Sequence, residues 1–502
     1  MLSPLLLHAA LAADCPTLDS HVQGDCVTSA LMALREQGCE TELAARGLSL
    51  ALDRPPLPPP GPAKQTRDSY GVPNSAESEN FVVYWGSGVS SGMADAVLEA
   101  FEDGWEREVV EMGYPGPYGT DGYKFNVYIG GTGGGTPEDY GAAGYFYYDD
   151  DGWPMVVLNA STAQNMDYGK TTVVHELFHA VQDITGAPYT YGAGNPGAWY
   201  FEATASWIEV EVYPDHDGYA EFLFGYSFYP HLSVNYFEYP DGGGLQQYHQ
   251  YGAFVFIRYL AEHQMDWKLI QTSWMEADDE DPLAVLDTLL RQNDGTTVRA
   301  AFFDFAGKNV AWEYEHGALY AQKHEEYAAS QGGSDNRIAA QHSGSTDGWV
   351  TPDEALLPWR LGTNFIRLYP RDEGPDLLVE FEGDAEGKWT GNAAWNVEVV
   401  VLREGMDPEH HDLELDARAG SMWVPDTVSA DEVWMVVSVS TGEEIAGETF
   451  AYTYAMEPGE QPEDTGVDIV EVIDELCGCS SGPRQVGWML AVLGLLSLVR
   501  RR

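Results

Sequence analysis

For its size this chain is poorest in basic residues: 25 Lys and Arg stand against 80 Asp and Glu in 502 residues, a formal net charge of −55. So negative a surface repels phosphodiester backbones and anionic lipid, which excludes nucleic acid and an anionic membrane face as partners. Cysteine is also scarce. The five are Cys15, Cys26, Cys39, Cys477 and Cys479, so the long middle of the chain has none. That middle folds without disulfides and without a cysteine-built zinc cluster. The three N-terminal cysteines permit one bridge and one leftover thiol. An ordinary local disulfide is the favoured reading, over a thiolate that blocks a metal site in a latent precursor. The glycine-rich turn at Gly130 to Gly135 lacks a following Gly-Lys-Ser/Thr, so it is not a phosphate loop.

What is present argues for a folded, globular protein. Apolar residues make up 44% of the chain and aromatics 12%, ample for the cores of two or three domains. Residues 1–13 read as a secretory signal, apolar and ending in Ala10-Leu11-Ala12, although no basic residue precedes the apolar run. Asp149-Asp150-Asp151 reads as solvated acidic surface, with structural Ca²⁺ as the weaker alternative.

Periodicity divides the rest. Residues 14–62 are an N-terminal segment, helical around Ala30 to Leu34 and Leu48 to Leu52, that closes in the proline-rich linker Arg54 to Pro62 and is read as a pro-segment. A catalytic domain covers 78–317, with strands at Phe81–Trp85, Lys124–Ile129, Gly144–Tyr148 and Met155–Leu158, the last two a hairpin. Helices follow at 93–112, ahead of the second strand, and then at 198–212, 246–263, 282–292 and 297–314. The polar stretch 318–346 reads as a linker. Short alternating segments separated by Gly and Asp turns over 347–456 read as a β-sandwich accessory domain. An acidic stalk with the Cys477-Gly478-Cys479 motif occupies 457–483, and an apolar tail ending in three arginines occupies 484–502. The apolar part, Val486 to Val499, covers only about 20 Å of a hydrocarbon layer about 30 Å thick. The fold class expected is α+β, strands and then helices in the first domain, followed by the β-sandwich.

The chemistry concentrates at Val173-Val174-His175-Glu176-Leu177-Phe178-His179-Ala180-Val181. Two histidines four apart on a helix lie on one face, so both imidazoles can close on one Zn²⁺ and Glu176 can reach a water there. A catalytic zinc needs a third protein ligand. Glu202, in Ala198-Trp199-Tyr200-Phe201-Glu202-Ala203, follows a Gly/Pro/Asn loop on a second helix, whose small residues Ala203, Ala205 and Ser206 permit close packing. Glu209 and Glu211 are the alternative ligands, expected on the exposed part of that helix. Gln182 and Thr185 stand where metzincins carry Gly and His, which removes that subclass.

Over about residues 80 to 300 the chain resembles the gluzincins, and more closely bacterial metalloproteases with His-Glu-x-x-His followed by Trp-x-x-Glu-x-x-Ala. Here these are His175, Glu176 and His179, then Trp199, Glu202 and Ala205. The resemblance implies zinc held by His175, His179 and Glu202, with Glu176 as general base. Thermolysin-like members carry an acid four residues after the ligand glutamate, where this chain has Ser206. A tyrosine-bearing helix after the ligand resembles the same family; of His249 and Tyr251, Tyr251 is the expected oxyanion donor. The last 26 or so residues resemble the sorting tails of myxobacterial surface proteins. Together these imply a secreted zinc metallopeptidase at the outer cell surface, acting on peptide or protein and meeting the membrane only through its tail. A non-catalytic adhesion protein with a zincin-like core, or a zinc hydrolase of non-peptide amides, are the alternatives.

Overall fold

The computed structural model describes Cys15, residues 26–50, 54–57 and 61, and residues 63–462 apart from 240–243, 294, 332–336, 339, 345–347, 371–372, 385–392 and 443–447. The signal segment, most of the stalk and the apolar tail lie outside the described residues. Among the described residues no helix is long and apolar enough to cross a membrane.

Near-continuous apolar runs build the first sheet. Its strands are β1 (Asn74–Glu77), β2 (Phe81–Trp85), β3 (Phe125–Ile129), β4 (Gly144–Tyr148) and β5 (Pro154–Leu158), in the order β1-β2-β3-β5-β4. Every residue of β2 to β5 is buried, as expected of strands covered on both faces. β2, β3 and β5 run parallel, whereas β4 is antiparallel to β5 and forms an edge.

Helices α1 (Thr28–Glu36), α2 (Glu40–Ala45), α3 (Ala94–Trp105), α4 (Ala160–Gln164), α5 (Met166–Thr185) and α6 (Ala198–Val212) surround this sheet. α3 packs on β2 and α5, while α1 lies against β4 and α6. At Gly104 a Cβ would stand 3.0 Å from a Leu177 methyl, so only glycine lets α3 and α5 approach so closely. α5 stops at Gly186, whose φ of 77° is the left-handed turn that glycine adopts most readily. α6 is buried from Ala198 through Val210.

Seven further helices follow: α7 (Leu223–Ser227), α8 (His249–Gly252), α9 (Phe254–Tyr259), α10 (Lys268–Met275), α11 (Pro282–Asn293), α12 (Val298–Lys308) and α13 (Gly317–Ser330). Two expectations fail here. The helix over 246–263 is broken into a 3-10 turn, α8, α9 and a π turn at Leu260–Gln264, because Gly252 packs against the backbone of residues 222–226, too tightly for a Cβ. The linker at 318–346 instead begins as α13, which buries Tyr320, His324 and Ala328 on one stripe. In the N-terminal segment the second helix is α2; residues 48–50 are not helical, and the rest of the stretch expected at Leu48 to Leu52 lies outside the described residues.

Beyond α13 lie β6 (Ala340–Gly344), β7 (Gly362–Tyr369), β8 (Asp376–Gly383), β9 (Ala393–Leu402), β10 (Glu409–Asp412), β11 (Ala419–Val424), β12 (Glu432–Thr441) and β13 (Tyr452–Gly459). They form a five-stranded sheet, β10-β9-β12-β7-β6, and a three-stranded sheet, β11-β8-β13. The two share a core that includes Ile366, Phe381, Val399, Met435 and Tyr452. The other face of the larger sheet sends Phe365, Val400 and Trp434 into the helical core. The whole is mixed α and β with segregated sheets and helices, an α+β arrangement.

Candidate metal centre

The helical spacing of His175 and His179 brings their rings within 4.9 Å of each other, nearly perpendicular at 81°. Both point towards Glu202 on α6: Nε2 of His175 is 3.2 Å and Nε2 of His179 3.5 Å from the same Glu202 oxygen. Ala203 and Ala205 are completely buried beside it, which is how the two helices come so close.

The other ring nitrogens decide what the Nε2 atoms can do. His175 Nδ1 lies 2.9 Å from a carboxylate oxygen of Glu209. His179 Nδ1 lies 2.7 Å from the amide oxygen of Gln182, whose NH₂ donates to the Phe201 carbonyl at 2.9 Å and to the Thr204 hydroxyl at 3.0 Å. Both partners are therefore acceptors, and each takes an Nδ1 proton. With one proton per neutral ring, both Nε2 atoms turn a lone pair towards a carboxylate. Lone pairs on three converging acceptors repel unless a cation, or added protons, stand between them.

The ionisation preferences show the same pull. Burial opposes a charge on His175, but contacts with Cys26, Glu202 and Glu209 raise its pKa well above the usual value. Burial alone would raise Glu202, yet His179 and His175 hold it well below the ordinary carboxylate range. Glu176 is pushed up, chiefly by burial and against the neighbouring imidazoles.

Cys26 completes the group. The bridge expected near the N-terminus is Cys15–Cys39, and the leftover Cys26 is buried with its sulfur 3.7 Å from His179 Nε2. The disulfide and the thiol at the metal site, weighed as alternatives in the sequence, thus occur together. One ligating atom from each of Cys26, His175, His179 and Glu202 lies within 4.8 Å of all the others, the one such group among the described residues. Two imidazole nitrogens, a carboxylate and a sulfur are a donor set that suits a borderline-soft divalent ion. The residues present therefore fit a metal.

Glu176 lies beside this point without joining it. Thr28 donates to its Oε2 at 2.9 Å, while Oε1 has no hydrogen-bond partner among the described residues. Gly144 of edge strand β4 makes the space, since a Cβ there would meet the Glu176 side chain at 3.0 Å. Tyr251 on α8 faces the same point. Its ring stacks 6.1 Å from that of His175, and its hydroxyl donates to the Cys26 carbonyl at 3.4 Å. His249 is buried elsewhere, against Tyr226 and Tyr236, and is pushed down to about 3 by burial and by His231. A cavity of ≈ 320 Å³ opens beside Cys26, His175, Glu176 and Tyr251 and is walled by Asn165, Tyr168 and other polar residues.

Three sequence expectations need correction. Glu209 is buried and holds His175 instead of lying exposed. Glu211 is tied to Arg107 at 2.6 Å and Arg258 at 3.0 Å and takes no part in the site. Asp149 is neither solvated nor free for Ca²⁺: it is fully buried, paired with Arg67 and Ser69, and accepts the backbone N–H groups of Asp151 and Trp153. Sequence reasoning passed over Gln182 as a functional residue, although its place one turn after His179 on the same helix was signal enough.

The chain belongs to a family of unknown function, DUF6055, whose model matches residues 60–462. No curated protein matches. Among solved structures, it is similar to a family GH115 4-O-methyl-alpha-glucuronidase, BtGH115A, with specificity for decorated arabinogalactans. The identity is 9%, the TM-score is 0.14, and the match spans 59% of this chain but only 39% of that one. So low a score carries no argument about either fold or activity.

Proposed function

We propose that this protein is a secreted zinc metallopeptidase with a zincin-like core, held at the outer cell surface through its C-terminal tail, with residues 347–456 as a β-sandwich accessory domain. One observation carries the reading: two imidazole lone pairs and the Glu202 carboxylate converge on one point, with an unpartnered Glu176 oxygen beside it. Zinc bound there would supply Lewis acidity for a carbonyl and lower the pKa of a water. His175, His179 and Glu202 hold the ion, and Glu209 and Gln182 fix the two ring orientations. Glu176, beside the point where the ligands converge, accepts a proton from the attacking water and can return it to the leaving amine. Tyr251 donates its hydroxyl to the developing oxyanion. Edge strand β4 offers main-chain groups on which an extended peptide can pair.

Cys26 favours a second reading, a non-catalytic zinc protein, since four protein ligands make a closed structural site. Zinc content and peptide hydrolysis separate the two. One equivalent of zinc in the full chain and its loss in Glu202→Ala are expected under both. Hydrolysis of a labelled peptide library that is abolished by chelation and by Glu176→Gln supports the peptidase. Stoichiometric zinc with no hydrolysis, in the wild type and in Cys26→Ser alike, overturns it.

A further inference from the structure

We infer that Cys26 is the fourth ligand of the bound metal and that the segment around it, seated against the base, the ligand carboxylate and edge strand β4, keeps the full chain latent. The inference rests on the metal site proposed above and adds to it a residue 153 positions before His179.

Five contacts besides the sulfur fasten this segment to the machinery. The Thr28 hydroxyl donates to Glu176 Oε2 at 2.9 Å and accepts the backbone N–H of Phe146 at 2.8 Å. It thus occupies both the base and the edge-strand donor that an incoming peptide would use. The Ser29 hydroxyl donates to Glu202. The Cys26 carbonyl accepts from Tyr251 at 3.4 Å, the donor assigned to the oxyanion. Cys26 also pairs with Gly144 of β4 in a single parallel bridge, a main-chain contact of the kind an added peptide would make there. The atom it presents to the histidines is a side-chain sulfur, which offers no carbonyl to attack. The segment therefore fills the groove without being a substrate.

Sulfur ligates as thiolate, so binding releases the Cys26 proton, and the thiolate takes a proton back when water replaces it. On the far side of Cys26 the cavity bounded by Tyr168 and Tyr251 stays open, which gives a peptide access once the sulfur is gone.

The test uses the full chain loaded with cobalt(II). Wild type should show a thiolate-to-cobalt charge-transfer band. Cys26→Ser should lose that band and keep the visible ligand-field bands of a bound ion. In wild type, alkylation of Cys26, located by peptide mass, should be slow with metal and fast after chelation, a readout that needs no variant to fold. Peptide hydrolysis by the zinc form of Cys26→Ser should exceed that of wild type by at least about tenfold. Ligand-field bands without charge transfer in wild type overturn the inference and leave the three-ligand site standing. No cobalt bands in either chain overturn both. Charge transfer with equal hydrolysis by the two chains overturns the latency.

Discussion

Among the described residues two clusters bring a histidine against two carboxylates, and they differ in what they leave unsatisfied. At the metal centre His175 touches Glu202 and Glu209, but Cys26 and His179 crowd the same point, so donors are fewer than acceptors. In the other cluster His410 on β10 bridges Glu398 on β9 and Glu313, the latter at 2.8 Å, with each ring nitrogen taken by one carboxylate. A single protonated imidazole satisfies that arrangement completely. It works as a clasp between the β9–β10 edge and the segment after α12, whereas the first gathers four ligating atoms within 4.8 Å of one another and so could hold a cation. The number of lone pairs aimed at one point, more than burial or residue type, separates a site from a clasp.

The largest effect should come from the group at the metal centre that is not a ligand. Glu176→Gln should retain zinc and the fold while peptide hydrolysis falls by about 10² to 10⁴. Loss of the ion along with activity would make Glu176 a ligand and erase the distinction between base and cage. Tyr251→Phe comes next. Removing one oxyanion donor should cost about 10² to 10³ in kcat with KM little changed, and a change confined to KM would instead make the ring a wall of the groove. Glu209→Gln is smaller again. It keeps an acceptor for the Nδ1 proton of His175 but removes the charge behind it, so zinc affinity should fall by about 10 to 100-fold in a chelator competition. Unchanged affinity would mean that the carboxylate serves packing only.

How much of this was legible follows from the reach of each signal. His175, Glu176 and His179 sit within one helical turn, and Trp199, Glu202 and Ala205 within two, so local spacing located them. Glu209 lies two turns beyond Glu202 on a helix buried all round from Ala198 to Val210. Such a helix has no polar face in its pattern, and nothing local says which way a glutamate on it points. Cys26 meets His179 across 153 residues, a contact that only the folded chain defines. In the sheet, β2 to β5 announced themselves through runs such as Phe81-Val82-Val83-Tyr84-Trp85 and Met155-Val156-Val157-Leu158. α13 was missed because its buried stripe rests on Tyr320, His324 and Ala328 amid polar neighbours, too thin for a composition reading that weighed the polar majority.

The clasp supplies the smallest and most specific prediction. Glu313 and then Glu398 pull His410 up to about 10, although its partial burial works against the charge. Burial, Asp412 and Asp304 in turn push Glu398 up, against the favourable His410. A histidine whose pKa is higher folded than unfolded stabilises the fold fully below the unfolded value of about 6.5, and that contribution is lost as the pH climbs through the folded value. The clasp should therefore weaken between about pH 6.5 and pH 10. Because His410 and Glu313 are each about one-quarter exposed, solvent screens the gain, and on the order of 1–2 kcal/mol is expected. His410→Gln should be less stable than wild type at neutral pH, and the gap between their unfolding free energies should shrink as the pH approaches 10. The comparison of the two chains cancels the titration of groups that do not touch His410. A gap that stays constant with pH would show His410 held by packing alone, and an effect of added zinc on that gap would blur the line drawn here between clasp and metal site.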